Sequence, residues 1–347
     1  MMPNFAYIFS NRDLANKFHK RKRHYNQDMP NYQPLVTIVT PSFNQAQYLE
    51  QTILSVLEQD YPHIEYWIMD GASTDGSIEI IKKHAARLAG WVSEKDRGQA
   101  DAVNKGFSRA SGEIVGWLNS DDLYYPNAIS GAVKAFQEHP EASIVFSDVN
   151  SINSEGIAFN RMRFGDWKLK DLMQFKIISQ PGVFMRRAIL EKAGYLDLDY
   201  HFLLDVELWL RMAAIAEPFY VPNAVWSAAR MHDDAKNHAK ALEFGPEAFR
   251  IAKWLCEDER FYPLNAHIFN KIWAGAYRID AFYRAEAEDY RGAIKSYGKM
   301  MKYWPFQPIQ SYARLLKSLL GSSGINSLSV FYEKQRIHRG KRSLKEE

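Results

Sequence analysis

Four short apolar runs in the first third of the chain each end abruptly in polar residues, and this pattern restricts the possible folds. The runs cover residues 34–40, 64–69, 91–93 and 113–118, and the segments between them space their apolar residues at helical intervals. Such an alternation of strands and helices calls for a parallel sheet with right-handed crossovers. Ligands bind at the carboxyl edge of such a sheet, because strand ends and loops converge there. The sequence therefore predicts an α/β domain with its functional residues at one sheet edge.

The fourth run stops at two adjacent carboxylates, Asp121 and Asp122. Two like charges at this spacing repel each other, so they need a cation, solvent or a protonation shift. One interpretation is that Asp121, helped by Asp122 or Asn119, binds Mg²⁺ or Mn²⁺ that in turn holds substrate phosphates. The other is that a carboxylate caps the helix that starts near Pro126. The pair alone leaves both open, and the upstream motifs favour the metal.

Polar residues also follow the first two strands. Three of them come directly after the first strand: Pro41, Ser42 and Asn44. The second strand leads into an acidic loop at residues 70–77, whose glycines do not fit the dinucleotide-binding fingerprint. Asp70 is a candidate to accept hydrogen bonds from a base N–H or ribose hydroxyls, and Ser73 or Asp75 is a candidate helix cap. Both roles are compatible within one loop.

The segment after the third strand, residues 94–106, is dense in charge before Gly98 and continues as a helix. That helix carries Asp101, Asn104 and Lys105 on nearby turns. Polar residues at this spacing suit the wall of a polar pocket better than a core. We therefore expect the loop and the helix to extend the site.

These segments, in this order, resemble the family 2 glycosyltransferases of the GT-A fold. Four motifs carry the resemblance: Pro-Ser-Phe-Asn at 41–44, Asp-Gly-Ala-Ser-Thr-Asp-Gly-Ser at 70–77, Asp-Arg-Gly-Gln-Ala-Asp-Ala-Val-Asn-Lys-Gly at 96–106, and Leu-Asn-Ser-Asp-Asp at 118–122. The resemblance implies a mixed, mostly parallel sheet flanked by helices, a nucleoside-diphosphate sugar donor, Mg²⁺ or Mn²⁺, and inversion at the anomeric carbon. Polysaccharide or glycolipid assembly is the family's common setting.

The resemblance also implies positions for the donor and the metal. The nucleoside would lie against Pro41, Asp70 and Asp96, and the metal near Asp121 and Asp122. The candidate nucleotide-sugar contacts in full are Pro41, Ser42, Asn44, Asp70, Ser73, Asp96, Gly98, Asp101, Asn104, Lys105, Asn119, Ser120 and Arg230.

Two departures from the family pattern concern carboxylates. Many relatives carry Asp-Asp-Gly-Ser where this chain has Asp-Gly-Ala-Ser at 70–73, so one acid that can touch the nucleoside is absent. The usual metal motif is Asp-x-Asp, whereas Asn119 holds the first position here. Asp121 therefore becomes the main metal ligand, in a less charged site.

Two later segments resemble the acceptor side of the family. Gln180, Pro181 and Gly182 match a strand that borders the acceptor pocket, although an ordinary strand with a proline at its edge has the same pattern. Asp205 precedes a Leu-Trp-Leu-Arg helix, where the family places the base that takes the acceptor proton. Glu207 is the second candidate for this role, and a helix N-cap is the alternative for Asp205.

A third segment, from Arg230 to Lys236, resembles the Arg-x-His motif with which relatives close over the diphosphate. A cation there is reasonable, since the leaving diphosphate gains charge in the transition state. His232 is a candidate metal ligand or phosphate donor.

Composition narrows the class of protein. The formal net charge is +3 and the basic residues do not alternate with aromatics, which argues against nucleic acid as a partner. The single Cys256 excludes an internal disulfide and a cysteine-rich zinc site. No stretch approaches the length of a membrane span. We therefore expect a cytoplasmic protein, although the basic run at residues 19–24 can also touch anionic lipid.

The chain divides into three parts on this reading. A polar, basic leader covers residues 1–33, a GT-A domain covers 34–240, and an α-helical region with a basic tail covers 241–347. Residues 276–305 have the pattern of a helical hairpin that must pack on the catalytic domain. The apolar run at 315–320 indicates either a core-facing amphipathic helix or a helix lying on a membrane at the cytoplasmic face.

The predicted activity is therefore sugar transfer to a hydroxyl of a saccharide or a lipid-linked saccharide. Two other classes remain open. A nucleotidyltransferase also uses carboxylates and a metal on phosphates, but it would need a glycine-rich, basic loop after the first strand. A catalytically idle nucleotide-sugar-binding module would keep the fold without turnover.

Overall fold

The computed structural model describes residues 33–232 and 240–322. Its strands are β1 (Val36–Ser42), β2 (Ile64–Asp70), β3 (Gly90–Ser93), β4 (Ile114–Trp117), β5 (Leu123–Tyr124), β6 (Ile144–Ile152), β7 (Ala158–Met162), β8 (Val183–Arg186) and β9 (Phe219–Arg230). The four predicted strands correspond to β1–β4. The first 32 residues of the predicted leader and the basic tail beyond residue 322 lie outside the described residues.

Helices cover both faces of the sheet and form the C-terminal region. They are α1 (Ala46–Leu57), α2 (Ser77–His84), α3 (Gln99–Phe107), α4 (Ala128–Glu138), α5 (Leu169–Leu172), α6 (Arg187–Ala193), α7 (Leu204–Ile215), α8 (Phe244–Glu257), α9 (Tyr262–Glu286), α10 (Tyr290–Tyr303) and α11 (Ile309–Ser322). In the part of the chain that the structure describes, no helix is long and apolar enough to cross a membrane.

The described strands form one mixed sheet in the order β3-β2-β1-β4-β8-β6-β9-β5, with β7 paired to β6. Four pairs are parallel, namely β1–β2, β1–β4, β2–β3 and β6–β9, and the remaining four are antiparallel. The prediction of a mixed sheet is thereby confirmed. Because β1, β2, β4 and β9 run in the same direction, their carboxyl ends meet at one edge of the sheet.

Alternating side chains of the central strand explain why helices cover both faces. Ile38 belongs to a core that includes Leu49 of α1 and Ile129 of α4. The next residue, Val39, belongs to a second core that includes Val103 of α3 and residues of α7. Successive side chains of a strand point to opposite faces, so one strand contributes to both cores.

The C-terminal helices are part of this architecture. Ala248 and Ile251 of α8 and Ile272 of α9 lie fully buried in the same core as Val39. The hairpin of α9 and α10 has a smaller core of its own, centred on Tyr297 and Met300. The predicted hairpin that packs on the catalytic domain is therefore present.

The helix α11 matches the core-facing prediction only in part, since Leu315 packs against the small core of the hairpin. Ile309 is 78% exposed and Leu316 is 52% exposed, whereas the buried residues of this helix are Ser311 and Ser318. Small hydroxyl side chains allow close packing on the hairpin beside Leu315, whereas Ile309 and Leu316 point outwards.

Candidate active site

Hydrogen bonds join the loops after β1 and β2 into one rigid surface at the sheet edge. Asn44 donates its backbone N–H to Ser73 Oγ at 2.8 Å, and its side-chain oxygen accepts from the backbone N–H of Thr74 at 2.9 Å. Asp75 accepts from the backbone N–H groups of Ala46 and Ser77, at the starts of α1 and α2. The N-cap residue of α2 is Gly76, so neither Ser73 nor Asp75 occupies the predicted cap position, and Asp75 instead accepts from the first N–H of both helices.

Asp70 holds the second loop in place. Its carboxylate accepts from Ser73 Oγ at 2.6 Å, Ser73 N at 2.9 Å and Ser93 Oγ at 2.7 Å. The side chain is buried, as is Ser42, which lies beside Asp70 in the sheet register. Asp70 thus shapes the loop at the predicted nucleoside site, with its oxygens turned towards protein donors.

Asp96 presents a carboxylate oxygen at the same edge. Its Oδ1 accepts from the backbone N–H of Gly98 at 2.8 Å. Its Oδ2 lies so close to Gly71 that a Cβ there would sit 2.6 Å from this oxygen and 3.2 Å from the Phe43 ring. Phe43 itself is 62% exposed. An exposed ring and a carboxylate that both lie against a residue without a side chain can offer a flat heteroaromatic group a stacking face and an acceptor for its N–H donors.

The polar residues of α3 brace their own surroundings, which corrects the prediction of a pocket wall. Asp101 accepts from Arg97 Nη2 at 2.8 Å, and Lys105 pairs with Glu94 at 2.8 Å. Asn104 exchanges two hydrogen bonds with the backbone of Leu196, at 2.8 and 2.9 Å. These contacts fix the loop before α3 and attach the helix to the chain ahead of α7.

Asn119 connects four elements of the site. Its side-chain oxygen accepts from Gln99 Nε2 at 2.7 Å and Trp117 Nε1 at 2.9 Å. Its amide donates to Gln180 Oε1 at 3.1 Å and Asp122 Oδ2 at 3.2 Å. Asn119 therefore organises the turn that carries the carboxylates.

The predicted acceptor residues are packed inside the protein. Gln180, Pro181 and Gly182 form a buried 3₁₀ turn, and Gln180 also donates to the carbonyl oxygen of Trp117. A Cβ on Gly182 would lie 2.6 Å from a methyl group of Val149. This turn holds Asn119 in place through Gln180. We therefore revise the role of Gln180, Pro181 and Gly182 from contacting the acceptor to supporting the site.

Arg230 corrects a second prediction, because its guanidinium is buried among protein acceptors. It donates to the carbonyl oxygens of Asp121, Asn153 and Ser154 and to Gln51 Oε1, at 2.9 to 3.2 Å. The guanidinium carbon also lies 4.6 Å from the centre of the Tyr48 ring. Arg230 therefore clamps the turn at residues 121–122 to α1 and the β6–β7 hairpin, and it is not positioned to close over a diphosphate.

We expect Arg230→Lys to lower the free energy of unfolding by roughly 3 kcal/mol, because an ammonium group cannot reach all four acceptors. Urea denaturation measures this change. Arg87→Lys is the matched control, since Arg87 is exposed and makes a single hydrogen bond, to the Leu57 carbonyl. A loss for Arg230→Lys no larger than that of the control would contradict the clamp.

Asp121 and His232 meet beside the carboxylate turn, where the His232 side chain is buried and the Asp121 side chain is partly exposed. His232 Nε2 lies 3.1 Å from Asp121 Oδ2, and the Asp121 side chain keeps 21% of its surface exposed. Asp122 is buried instead, and its oxygens accept from Arg230 N at 2.9 Å and from Asn119. Burial, and next the charge of Asp121, raise the pKa of Asp122 well above its usual value. The Asp122 oxygens are thus taken up by protein donors, and the predicted metal ligands, with Asp121 and His232 as the other two candidates, stay a prediction.

This pair fits a divalent cation only together with further ligands. Within residues 33–232 and 240–322, no three His, Cys, Asp or Glu side chains are grouped for metal binding. Mg²⁺ in enzymes is often held by one or two carboxylates plus substrate phosphates, with waters filling the octahedron. An imidazole beside the carboxylate widens the choice to Mn²⁺ and softer ions. Ser120 is buried next to this pair, and its carbonyl oxygen accepts from Thr52.

Asp205 lies in the first turn of α7 and is half-buried. Its Oδ1 accepts from the backbone N–H of Val206 at 2.8 Å. Burial raises the pKa of Asp205 to about 6, and the nearby charge of Glu247 acts in the same direction. A carboxylate with a pKa just below neutral pH is suited to take a proton.

Glu207 has a different role from the one predicted. It is buried and forms a bidentate pair with Arg211, at 2.6 and 2.7 Å. Arg211 also donates to the carbonyl oxygens of Ala193, Gly194 and Tyr195. The pair thus anchors the segment between α6 and α7, and Asp205 is the remaining candidate base.

Glu247 of α8 braces the loop that leads into Asp205. It accepts from the backbone N–H groups of His201, Phe202 and Leu203 at 2.7, 2.9 and 2.7 Å. Glu247 was not predicted from the sequence. The pattern that could have indicated it is only an acidic residue that follows a proline in the first turn of a helix. Tyr48, which contacts both Arg230 and His232, was missed as well, because its spacing on α1 is that of a core residue.

The position of Glu247 near Asp205 leads to a prediction about the pH dependence of sugar transfer. Transfer should rise with pH through about 6, since Asp205 must be ionised to act as a base. Glu247→Gln removes a negative charge near Asp205, so its pKa should fall and the acid limb of kcat/KM should shift to lower pH. A further titratable group near Asp205 is Tyr283 on α9, whose pKa is raised by burial and by the charge of Asp205.

A pH–rate profile of kcat/KM measures this shift. The matched control is Glu243→Gln, one turn away at an exposed position. A limb that stays in place, or moves to higher pH, in the Glu247 variant would contradict the coupling.

Comparison with known proteins places this geometry in context. A family model described as "Glycosyl transferase family 2" matches residues 37–194, which include β1–β4, the carboxylate turn and β8. The uncharacterized glycosyltransferase Rv1514c of Mycobacterium tuberculosis is 30% identical over 262 residues, which cover 69% of this chain and 97% of that protein.

A second relative is matched over a shorter segment. TuaG of Bacillus subtilis, whose name assigns it to teichuronic acid biosynthesis, is 37% identical over 113 residues. That match covers 32% of this chain and 45% of TuaG, so the chain spans less than half the length of this relative.

A solved structure shares the fold. The mannosyltransferase PcManGT of Pyrobaculum calidifontis, in complex with GDP-Man and Mn²⁺, superimposes with a TM-score of 0.57 at 19% identity. The superposition covers 90% of this chain and 94% of that chain. The architecture is therefore of the GT-A type.

Proposed function

Because the chain belongs to glycosyl transferase family 2 and is a glycosyltransferase, we propose that it moves a sugar from a nucleoside-diphosphate sugar to an acceptor hydroxyl with inversion. The observation that carries this proposal is that two groups of side chains, one suited to a base and one to a diphosphate, lie at the same sheet edge. The Phe43 ring, Gly71 and the Asp96 carboxylate lie beyond β1–β3, and the Asp121–His232 pair lies beyond β4 and β9. A donor that is flat at one end and anionic at the other matches these two parts.

The donor's base would lie against Phe43 and Asp96. Its N–H groups would find the free edge of the Asp96 carboxylate, and Phe43 would cover one of its faces. Asp70 and Ser73 would keep the loop in shape, since their hydrogen bonds already fix it. That PcManGT was solved with GDP-Man supports a nucleotide-sugar donor of this general kind.

Asp205 would act as the base. In a direct displacement, the acceptor oxygen attacks the anomeric carbon from the face opposite the diphosphate, and its proton passes to a carboxylate. The new glycosidic C–O bond forms as the bond to the diphosphate breaks, so the configuration inverts. The raised pKa of Asp205 and its support by Glu247 favour this assignment.

Asp121 and His232 would hold Mg²⁺ or Mn²⁺ together with the donor's phosphates. When bound, such an ion neutralises charge on the leaving diphosphate. The protein's own contribution is to hold Asp121 rigidly, through Arg230 Nε on its carbonyl oxygen and the fixed neighbour Asp122. The complex of PcManGT with Mn²⁺ supports a metal of this class.

The acceptor would be a saccharide or a lipid-linked saccharide in polysaccharide or glycolipid synthesis. The name of TuaG supports that setting. The revised role of Gln180 leaves the acceptor to bind elsewhere around Asp205. A nucleotidyltransferase is disfavoured, because the loop after β1 turns through Asn44 at a φ of +51° and carries no basic phosphate-binding residues.

A thermal-shift panel tests the donor class. UDP-, GDP-, dTDP- and CDP-sugars are compared with and without Mn²⁺, since a ligand at 100 times its Kd adds about 2.7 kcal/mol to the unfolding free energy. We expect one nucleotide to stabilise the protein more with metal than without. Stabilisation with no transfer to any acceptor would favour the idle binding module, and no stabilisation by any donor would contradict the proposal.

A further inference from the structure

Exposed and partly buried aromatic side chains follow one another across the C-terminal helices. Phe269 of α9 is 45% exposed, and its ring lies 6.4 Å from that of Trp273. Trp273 stacks on Tyr303 of α10 at 6.1 Å. The next residue, Trp304, lies 5.6 Å from Phe306, which is 79% exposed. We call the surface from Phe269 to Phe306 and onwards over α11 the aromatic patch.

The patch continues as an aliphatic stripe on α11. Tyr312 donates to the carbonyl oxygen of Pro305, which joins the start of this helix to the aromatic rings. Ile309, Tyr312 and Leu316 are exposed at positions that share one helix face. Large apolar side chains exposed side by side mark an interaction surface, because isolated ones are normal but contiguous ones are rare.

Lysine ammonium groups lie over two of the aromatic rings in this region. The ammonium group of Lys271 lies 4.6 Å from the centre of the Trp304 ring, and that of Lys299 lies 5.3 Å from the Tyr277 ring. The chain has no Asp or Glu between Glu259 and Asp280, nor from Tyr290 to Ser322. The latter stretch carries six basic residues: Arg291, Lys295, Lys299, Lys302, Arg314 and Lys317. The electrostatic complement of this region is therefore an anionic surface.

We propose that the aromatic patch docks this protein on an anionic lipid bilayer. Tryptophan and tyrosine sit well at the boundary between headgroups and acyl chains, and lysines beside them attract anionic headgroups. The exposed Phe306, Ile309 and Leu316 would enter the acyl boundary as the apolar face of a surface-lying helix does. A saccharide partner is disfavoured, because aliphatic side chains offer sugar hydroxyls no hydrogen bonds, and residues 260–279 and 290–322 have no carboxylates to accept them.

Vesicle co-sedimentation tests the docking surface without requiring activity. The full chain is mixed with phosphatidylcholine vesicles, with or without phosphatidylglycerol, at low and high salt. We expect binding to the phosphatidylglycerol vesicles that weakens with salt. The double variants Phe306→Ser/Ile309→Ser and Lys271→Gln/Lys299→Gln should each lower the partition coefficient by about tenfold or more.

The matched control is Ile157→Ser, which removes an apolar side chain of 54% exposure from the β6–β7 turn and should bind like the wild type. Circular dichroism and donor-induced thermal shifts check that each variant is folded. Three results would overturn the proposal: no wild-type binding to anionic vesicles, equal binding by all variants, or a patch-dependent dimer by light scattering with no vesicle binding. Because donor binding is measured separately, failure of the docking leaves the proposed transfer reaction untouched.

Discussion

Asp205→Asn should lower kcat/KM for sugar transfer by about 10²–10⁴-fold, the range that a positioned general base contributes. An amide keeps the shape of the side chain and cannot take the acceptor proton. Donor-induced thermal shifts should stay unchanged, since Asp205 is assigned to the acceptor side. Initial rates with the donor identified in the thermal panel measure the loss.

The stability of the same variant provides an independent check. Burial raises the pKa of Asp205 to about 6, above the unfolded value of about 4, so the folded state binds more protons between these two pH values. The contribution of Asp205 to stability therefore falls as the pH rises through this window. Asp205→Asn should thus be at least as stable as the wild type at about pH 8 and gain nothing below about pH 4.

The matched control is Asp199→Asn, an exposed acid in the loop before α7. It makes the same chemical change near the same helix and should leave kcat/KM within about twofold of the wild type. A folded Asp205→Asn enzyme with wild-type turnover would sink the base assignment.

Asp121→Asn should abolish metal-dependent donor binding and lower transfer by about 10²-fold or more, the effect of losing electrostatic stabilisation of a leaving group. Asp121 is the carboxylate of the turn that keeps an exposed surface and a histidine partner. Thermal shifts with and without Mn²⁺, together with initial rates at a series of Mn²⁺ concentrations, measure both effects.

Asp122→Asn is the control, because it makes the same substitution one residue away. The oxygens of Asp122 already accept from Arg230 N and the Asn119 amide. We expect Asp122→Asn to keep the metal dependence, because the exposed carboxylate of Asp121 and its histidine partner are unchanged. The reverse pattern, with metal dependence lost only in Asp122→Asn, would move the metal site to the buried carboxylate.

Much of the fold could be predicted from residues 34–122, because local patterns carry the information that was needed. Apolar runs that end in polar residues indicated β1–β4, and helical spacing indicated the crossovers between them. The carboxyl ends of these strands had to meet at one edge, since strands that are joined by crossover helices run parallel. The four ordered motifs were then enough to indicate the family.

The partners of the polar residues could not be predicted in the same way. Asp101, Asn104 and Arg230 have the composition of a binding site, yet each is satisfied by protein groups. The partner of Arg230 at Asp121 is 109 residues away in the chain. Whether a polar side chain faces a ligand or a neighbouring carbonyl depends on packing at that distance, and no local spacing records it.

The sequence by itself determined the alternation of strands and helices, the sheet edge that bears the site, and the types of residue found there. Only the tertiary structure decided which of two adjacent carboxylates stays exposed, and that Glu247 of a C-terminal helix supports the loop before Asp205. The physical reason is that strand and helix periods arise from each residue's own backbone geometry. Exposure and hydrogen-bond partnership arise only when distant segments exclude water from one another.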